Sequence, residues 1–157
     1  MTAGDRLWAF ATAAYDRAGA RAIFLELQDL HGQCVVFLIW SLWLAAESRA
    51  PSDAALAAAA DIARTWEAAA TAPLRALRRG LEGAAPAPLC GPSERLRVEV
   101  KALELEAERM LLQTLDCATA AAAGPPLAAA AMLARAARAW SAAPPQALLE
   151  RLAEVLA

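Results

Sequence analysis

Four residues that could do chemistry fall close together in the run LQDLHGQC: Gln28, Asp29, His31 and Cys34. An aspartate and a histidine can form a general base and its orienting carboxylate. Asp, His and Cys together can ligate a metal. The spacing resists both readings. Residues two apart do not face each other on a helix, so Asp29 and His31 meet only where the chain has left the helix. His31 is the only histidine in the chain, and sites for such metals need three or four ligands. The cysteines Cys34, Cys90 and Cys117 are widely spaced and make no CxxC pair, so they suggest neither a zinc nor a redox framework. No phosphate-binding glycine loop, nucleophilic serine motif or paired metal carboxylate motif is present. The expectation is no catalytic residue, no metal and no cofactor. Asp29 is expected to cap the next helix, or to hold an arginine or backbone N–H groups. Gln28 and His31 would satisfy loose backbone groups at the helix ends. The alternative is a corner that lines a ligand pocket, in a small enzyme or binding protein.

The element that follows decides how such a corner would be positioned. Cys34 to Ala46 is apolar except for Ser41, and Gln33 and Glu47 close it. At thirteen residues it is shorter than the roughly twenty a membrane span needs. A helix apolar on all sides is the central helix of a bundle. Trp40 and Trp43 lie three apart and share a face. They are expected in the core, with one wall of a pocket as the alternative.

The rest of the chain reads as helix. Asp5 can cap a first helix to about Arg17, with Leu7, Phe10, Ala11 and Ala14 at helical spacing. Gly19 breaks the chain, and a second helix covers residues 20–30. Gly32 turns into the third, over residues 33–47. A long alanine-rich fourth helix runs over residues 53–81. Pro73 should kink or restart it, because proline lacks an N–H and crowds the preceding turn. GAAPAPLCGP, residues 83–92, is a loop by composition. Ser93 starts the best-patterned helix, to about Cys117, with Leu96, Val100, Leu103, Ala107 and Met110 on its apolar seam. Arg95 with Glu99, and Lys101 with Glu104, can pair on the opposite side. The Gly124-Pro125-Pro126 and Pro144-Pro145 breaks bound two final helices. The last is short and must dock on something. No segment alternates with period two. The fold class is therefore all-α: one domain over residues 1–157, a helical bundle of about six or seven helices.

Arg75, Arg78 and Arg79 sit at i, i+3 and i+4, opposite Leu74, Leu77 and Leu81. They are either a solvated face partly neutralised by acids on the Glu94–Glu108 helix, or an anion-binding surface for a phosphate, an acidic protein or headgroups. Lys101 is expected on a salt-bridged surface, with a pocket lysine as the alternative. The chain carries 15 basic and 17 acidic residues, which gives no general attraction to nucleic acid. The amino terminus lacks the pattern of a secretory signal, so a cytoplasmic location is expected.

The run L-Q-D-x-H-G followed by L-W-L-A, from Leu27 to Ala45, resembles a small proteobacterial family of unknown function. An early LWxF (Leu7, Trp8, Phe10) extends the resemblance. So do Trp66 with PLRxLRR (Pro73, Leu74, Arg75, Leu77, Arg78, Arg79) and a VKxxELxAE stretch (Val100, Lys101, Glu104, Glu108). It covers residues 7–112 and implies no activity. Members tend to carry an aspartate and an asparagine near the start of the third helix, where this chain has Cys34 and Val36. The expected function is that of a non-catalytic cytoplasmic adaptor or regulator, with a protein partner or a second copy. The surface would be the arginine block or the last helix. Peripheral attachment to the inner membrane through a basic helix face is a further alternative.

Overall fold

Ten of the twelve residues from Val35 to Ala46 are buried, Trp40 and Phe37 completely. A helix apolar on every side finds no water-facing edge, so other helices must surround it. The computed structural model describes residues 2–83, 90–122 and 124–157, with backbone alone for residues 83 and 90–93. Its helices are α1 (Ala3–Asp16), α2 (Ala20–Asp29), α3 (Val35–Ala46) and α4 (Asp53–Trp66). A π turn (Glu67–Thr71) leads into α5 (Ala72–Gly83), followed by α6 (Cys90–Ala118), α7 (Ala129–Trp140) and α8 (Gln146–Leu156). Because α4, the π turn and α5 are continuous, these make seven rods. No strand occurs among the described residues. The all-α bundle expected from the periodicity is the fold.

α3 is the axis. α1, α2, α6 and α7 pack on it, and α8 closes over α2 and α7. Met132, Leu133 and Ala136 of α7, with Leu148, Leu149 and Leu152 of α8, join the same buried cluster as Phe24, Phe37 and Trp40. The short last helix docks as its marginal length requires.

Local chemistry sets the boundaries. Thr2, rather than Asp5, is the N-cap of α1. Its hydroxyl accepts the Asp5 N–H at 3.1 Å and the Asp5 carboxylate accepts the Thr2 N–H at 2.9 Å, a reciprocal capping box. Gly19 and Gly32 take the left-handed conformation (φ 87° and 60°), which glycine adopts without a Cβ penalty. Arginines close two helix ends, where orphan carbonyls and the negative dipole end favour cations. Arg49 donates to the Thr119 carbonyl at 2.8 Å and pairs with Asp116 at 2.6 Å. Arg64 donates to the Ala139 and Trp140 carbonyls at 2.7 and 2.9 Å.

Two expectations change. α6 begins at Cys90, three residues before Ser93. Residues 84–89 of the expected loop lie outside the described residues. The α6 seam is also rotated. Val100 and Ala107 are buried, but Leu96, Leu103 and Met110 are exposed, and Glu104, Leu111 and Leu115 turn inward instead. The reason is the ion pairing between α5 and α6.

Candidate functional site

Pro73 organises this region. It cannot donate to the Ala69 carbonyl, and its ring would crowd that group in a regular helix. The chain widens one turn instead: the Ala72 N–H bonds back to the Glu67 carbonyl across five residues. Such π turns recur at functional sites. Here the turn lets buried Thr71 donate its hydroxyl to Glu67 Oε2 at 2.6 Å.

Beyond it, α5 lies antiparallel to α6 and the arginines face inward. Arg75 Nη1 pairs with Glu67 Oε1 at 2.7 Å, its Nε with Glu104 Oε1 at 3.2 Å, and its Nη2 reaches Glu108 Oε1 at 3.9 Å. Arg78 Nε pairs with Glu104 Oε2 at 2.6 Å and its Nη1 with Glu82 at 3.2 Å. The Glu104 side chain is 8% exposed, so both carboxylate oxygens take guanidinium partners where water cannot serve. Burial opposes the charge on Arg75, yet Glu67, Glu104 and Glu108 hold its pKa above the usual value. Burial, and next the Glu104 charge, push the Glu108 carboxyl up to about 7.

The polar corner and the arginine block meet. Arg79 Nη2 donates to both carboxylate oxygens of Asp29 at 2.8 and 3.0 Å, and Gln28 Nε2 donates to Asp29 Oδ1 at 3.1 Å. These bonds, Arg79 first, hold the Asp29 carboxyl below its usual pKa. Asp29 is therefore an arginine holder and not the cap of α3. That position belongs to Cys34, without a side-chain cap. His31 is exposed on the turn. The turn is tied elsewhere: the Gly32 carbonyl accepts Trp140 Nε1–H at 2.7 Å, and the Gln33 N–H bonds to the Leu27 carbonyl at 2.9 Å.

Trp40 is fully buried and stacks on Phe37. Trp43 is buried, with Phe10 edge-on and its Nε1–H donated to Asp116 at 3.2 Å. Neither tryptophan lines either of two clefts in the described surface, and nor do Asp29 and His31. One cleft, about 700 Å³, lies between residues 50–55, the end of α6 and Arg135. The other, about 390 Å³, lies between Ile62 and Trp66 of α4 and Leu111 of α6. Lys101 is exposed. The Lys101–Glu104 pairing expected from spacing gives way, because Glu104 turns to Arg75 and Arg78.

Sequence reasoning missed Gln33 and the place of Cys34 in this region. Gln33 is 2% exposed, and neither amide atom has a hydrogen-bond partner among the described residues. Cys34 is buried. Burial first, then the Glu67 charge, push its thiol up to about 12, so it is a neutral thiol and not a nucleophile. Only the closing of an uncharged, almost wholly apolar run by a glutamine hinted at Gln33. Among the described residues no group of His, Cys, Asp and Glu is arranged to hold a metal.

A family model described as Protein of unknown function (DUF2390) matches residues 6–115. The chain belongs to this family. The DUF2390 match holds the corner, the π turn, the arginine block and the acids of α6, and it stops before α7 and α8. No curated protein and no solved structure matches the chain. No helix among the described residues is long and apolar enough to cross a membrane.

Proposed function

We propose that this is a non-catalytic cytoplasmic protein that works by binding another protein through the outer face of the α5–α6 hairpin. The observation that carries this reading is the distribution of exposed apolar side chains. Of eight large ones exposed among the described residues, six lie on the hairpin: Leu77, Leu96, Val98, Leu103, Leu105 and Met110. Single exposed apolar residues need no explanation, but a row of them along one side of a helix, as Leu96, Leu103 and Met110 make here, points to an interface. Leu96, Leu103 and Met110 repeat every seven residues and so form a stripe along α6. Exposed Glu99 and Glu106 border that stripe. The partner that fits is an amphipathic helix with apolar residues at heptad spacing and basic flanks, the helix-in-groove mode. The arginine block is a poorer surface, because Arg75 and Arg78 are turned to acids of their own fold. The membrane reading loses its basic face for the same reason.

A photo-crosslinking amino acid at position 103, in cells that make the protein natively, tests this. The expected product joins position 103 to a basic-flanked helix of one protein, and Glu99→Lys with Glu106→Lys removes it. The same crosslinker at Ala58, exposed on α4, should give no such product. Equal products from both positions, or a product indifferent to the charge reversal, would reject the proposal.

A further inference from the structure

The cluster between α5 and α6 holds one carboxylate too many. Glu67, Glu104 and Glu108 surround Arg75 at 2.7, 3.2 and 3.9 Å. Arg78 adds a second cation, but it lies on Glu104 and Glu82. Glu108 is left with the most distant contact, and among the described residues no donor hydrogen-bonds to it. It faces Glu104 on its own helix, Arg75 and Arg78 on α5, and Glu67 on the π turn. At the α2–α3 corner it faces the neutral thiol of Cys34. Two guanidiniums cannot neutralise three carboxylates converging on a cluster whose centre, Glu104, is 8% exposed and whose Glu108 is only a quarter exposed, so one carboxyl is best kept as the acid.

We propose that Glu108 is a proton-operated latch: it carries a proton while α5 is seated on α6, and its ionisation loosens the π turn and α5 from α6 and from the α2–α3 corner. The parts released are defined. The π turn and α5 together carry Glu67, Arg75 and Arg78, and Arg79 carries the bond to Asp29. Released, they would take Glu67 and Arg75 away from the buried thiol of Cys34. The latch operates on the hairpin whether or not a partner binds its outer face.

The direction follows from linkage. The seated form holds the Glu108 proton up to about pH 7, while an opened, hydrated glutamate releases it near 4.3. Proton binding therefore favours the seated form at low pH, and that contribution is lost as pH rises through the seated value. From pH 6 to pH 8 the ratio of seated to open hairpin should fall about tenfold.

Two NMR measurements on the full chain test this. The Glu108 side-chain carboxyl carbon should titrate near neutrality, apart from the exposed glutamates. Amide protection along α5, corrected for intrinsic exchange, should fall about tenfold between pH 6 and pH 8. In Glu108→Gln, which keeps the shape of the neutral acid, that protection should not change with pH. A Glu108 carboxyl that titrates with the exposed glutamates would overturn the proposal, and it reads out on the parent protein even if the variant fails to fold. A pH response of α5 that persists in Glu108→Gln would overturn it equally.

Discussion

A chain that stops after Ala118, the last residue of α6, is expected to lose cooperative folding. The family match ends at residue 115, which makes residues 119–157 look dispensable. The packing says otherwise. Met132, Leu133, Leu148, Leu149 and Leu152 are buried against α2, α3 and α4. Burial of a large apolar side chain contributes about 1.5–3 kcal/mol, so these five contribute roughly 8–15 kcal/mol. A whole domain is stable by only about 5–15 kcal/mol. Truncation also exposes the α7-facing side of α3 and removes Trp140, whose Nε1–H holds the Gly32 turn. Urea unfolding followed by circular dichroism should show a gradual slope in place of a sigmoid. A sigmoidal transition in the truncated chain would mean that α7 and α8 are an addition to a self-sufficient core.

Replacing Arg75 by alanine should destabilise the fold by about 3–5 kcal/mol, the usual cost of leaving a buried charge without its partner. Arg75 is 12% exposed and contacts Glu67, Glu104 and Glu108, on the π turn and α6. Without it the carboxyl groups of Glu67, Glu104 and Glu108 converge with only Arg78 to answer them. Arg75→Met keeps much of the buried stem but not the cation, so it should lose nearly as much. A midpoint shift in urea corresponding to under 1 kcal/mol in both variants would show that the cluster is solvated and contributes little.

Much of this architecture was legible in the residues. A run without a charge from Cys34 to Ala46 had to be a central helix, and Pro73 had to disturb the long helix around it. Pattern could not show that the disturbance would be a π turn. That outcome depends on Glu67 and Thr71 finding each other and on α6 standing opposite. Nor could it show the rotation of α6. Leu96, Leu103 and Met110 are as apolar as any core seam, and Val98 and Leu105 offer a second apolar side. The choice between faces is made by Glu104, whose partners Arg75 and Arg78 precede it by 29 and 26 residues, too far for spacing to reveal. The polar corner was visible as a group. Its partner Arg79 lies 50 residues away from Asp29, so only the folded chain brings them together. Gln33 gave almost no signal, because a buried amide looks like any helix-start polar residue.

Arg75 and Arg78 hold α5 to α6 from within the fold. Thermal unfolding of the Arg75→Ala, Arg78→Ala, Arg79→Ala triple variant, beside Arg79→Ala alone, tests this most directly. The Arg79–Asp29 pair is exposed on both sides, and such pairs contribute about 1 kcal/mol or less. The single variant should therefore melt close to the parent, while the triple variant should melt far lower or show no cooperative transition. A triple variant that melts with the parent would contradict the account and return the three arginines to the surface as a site for an anionic partner.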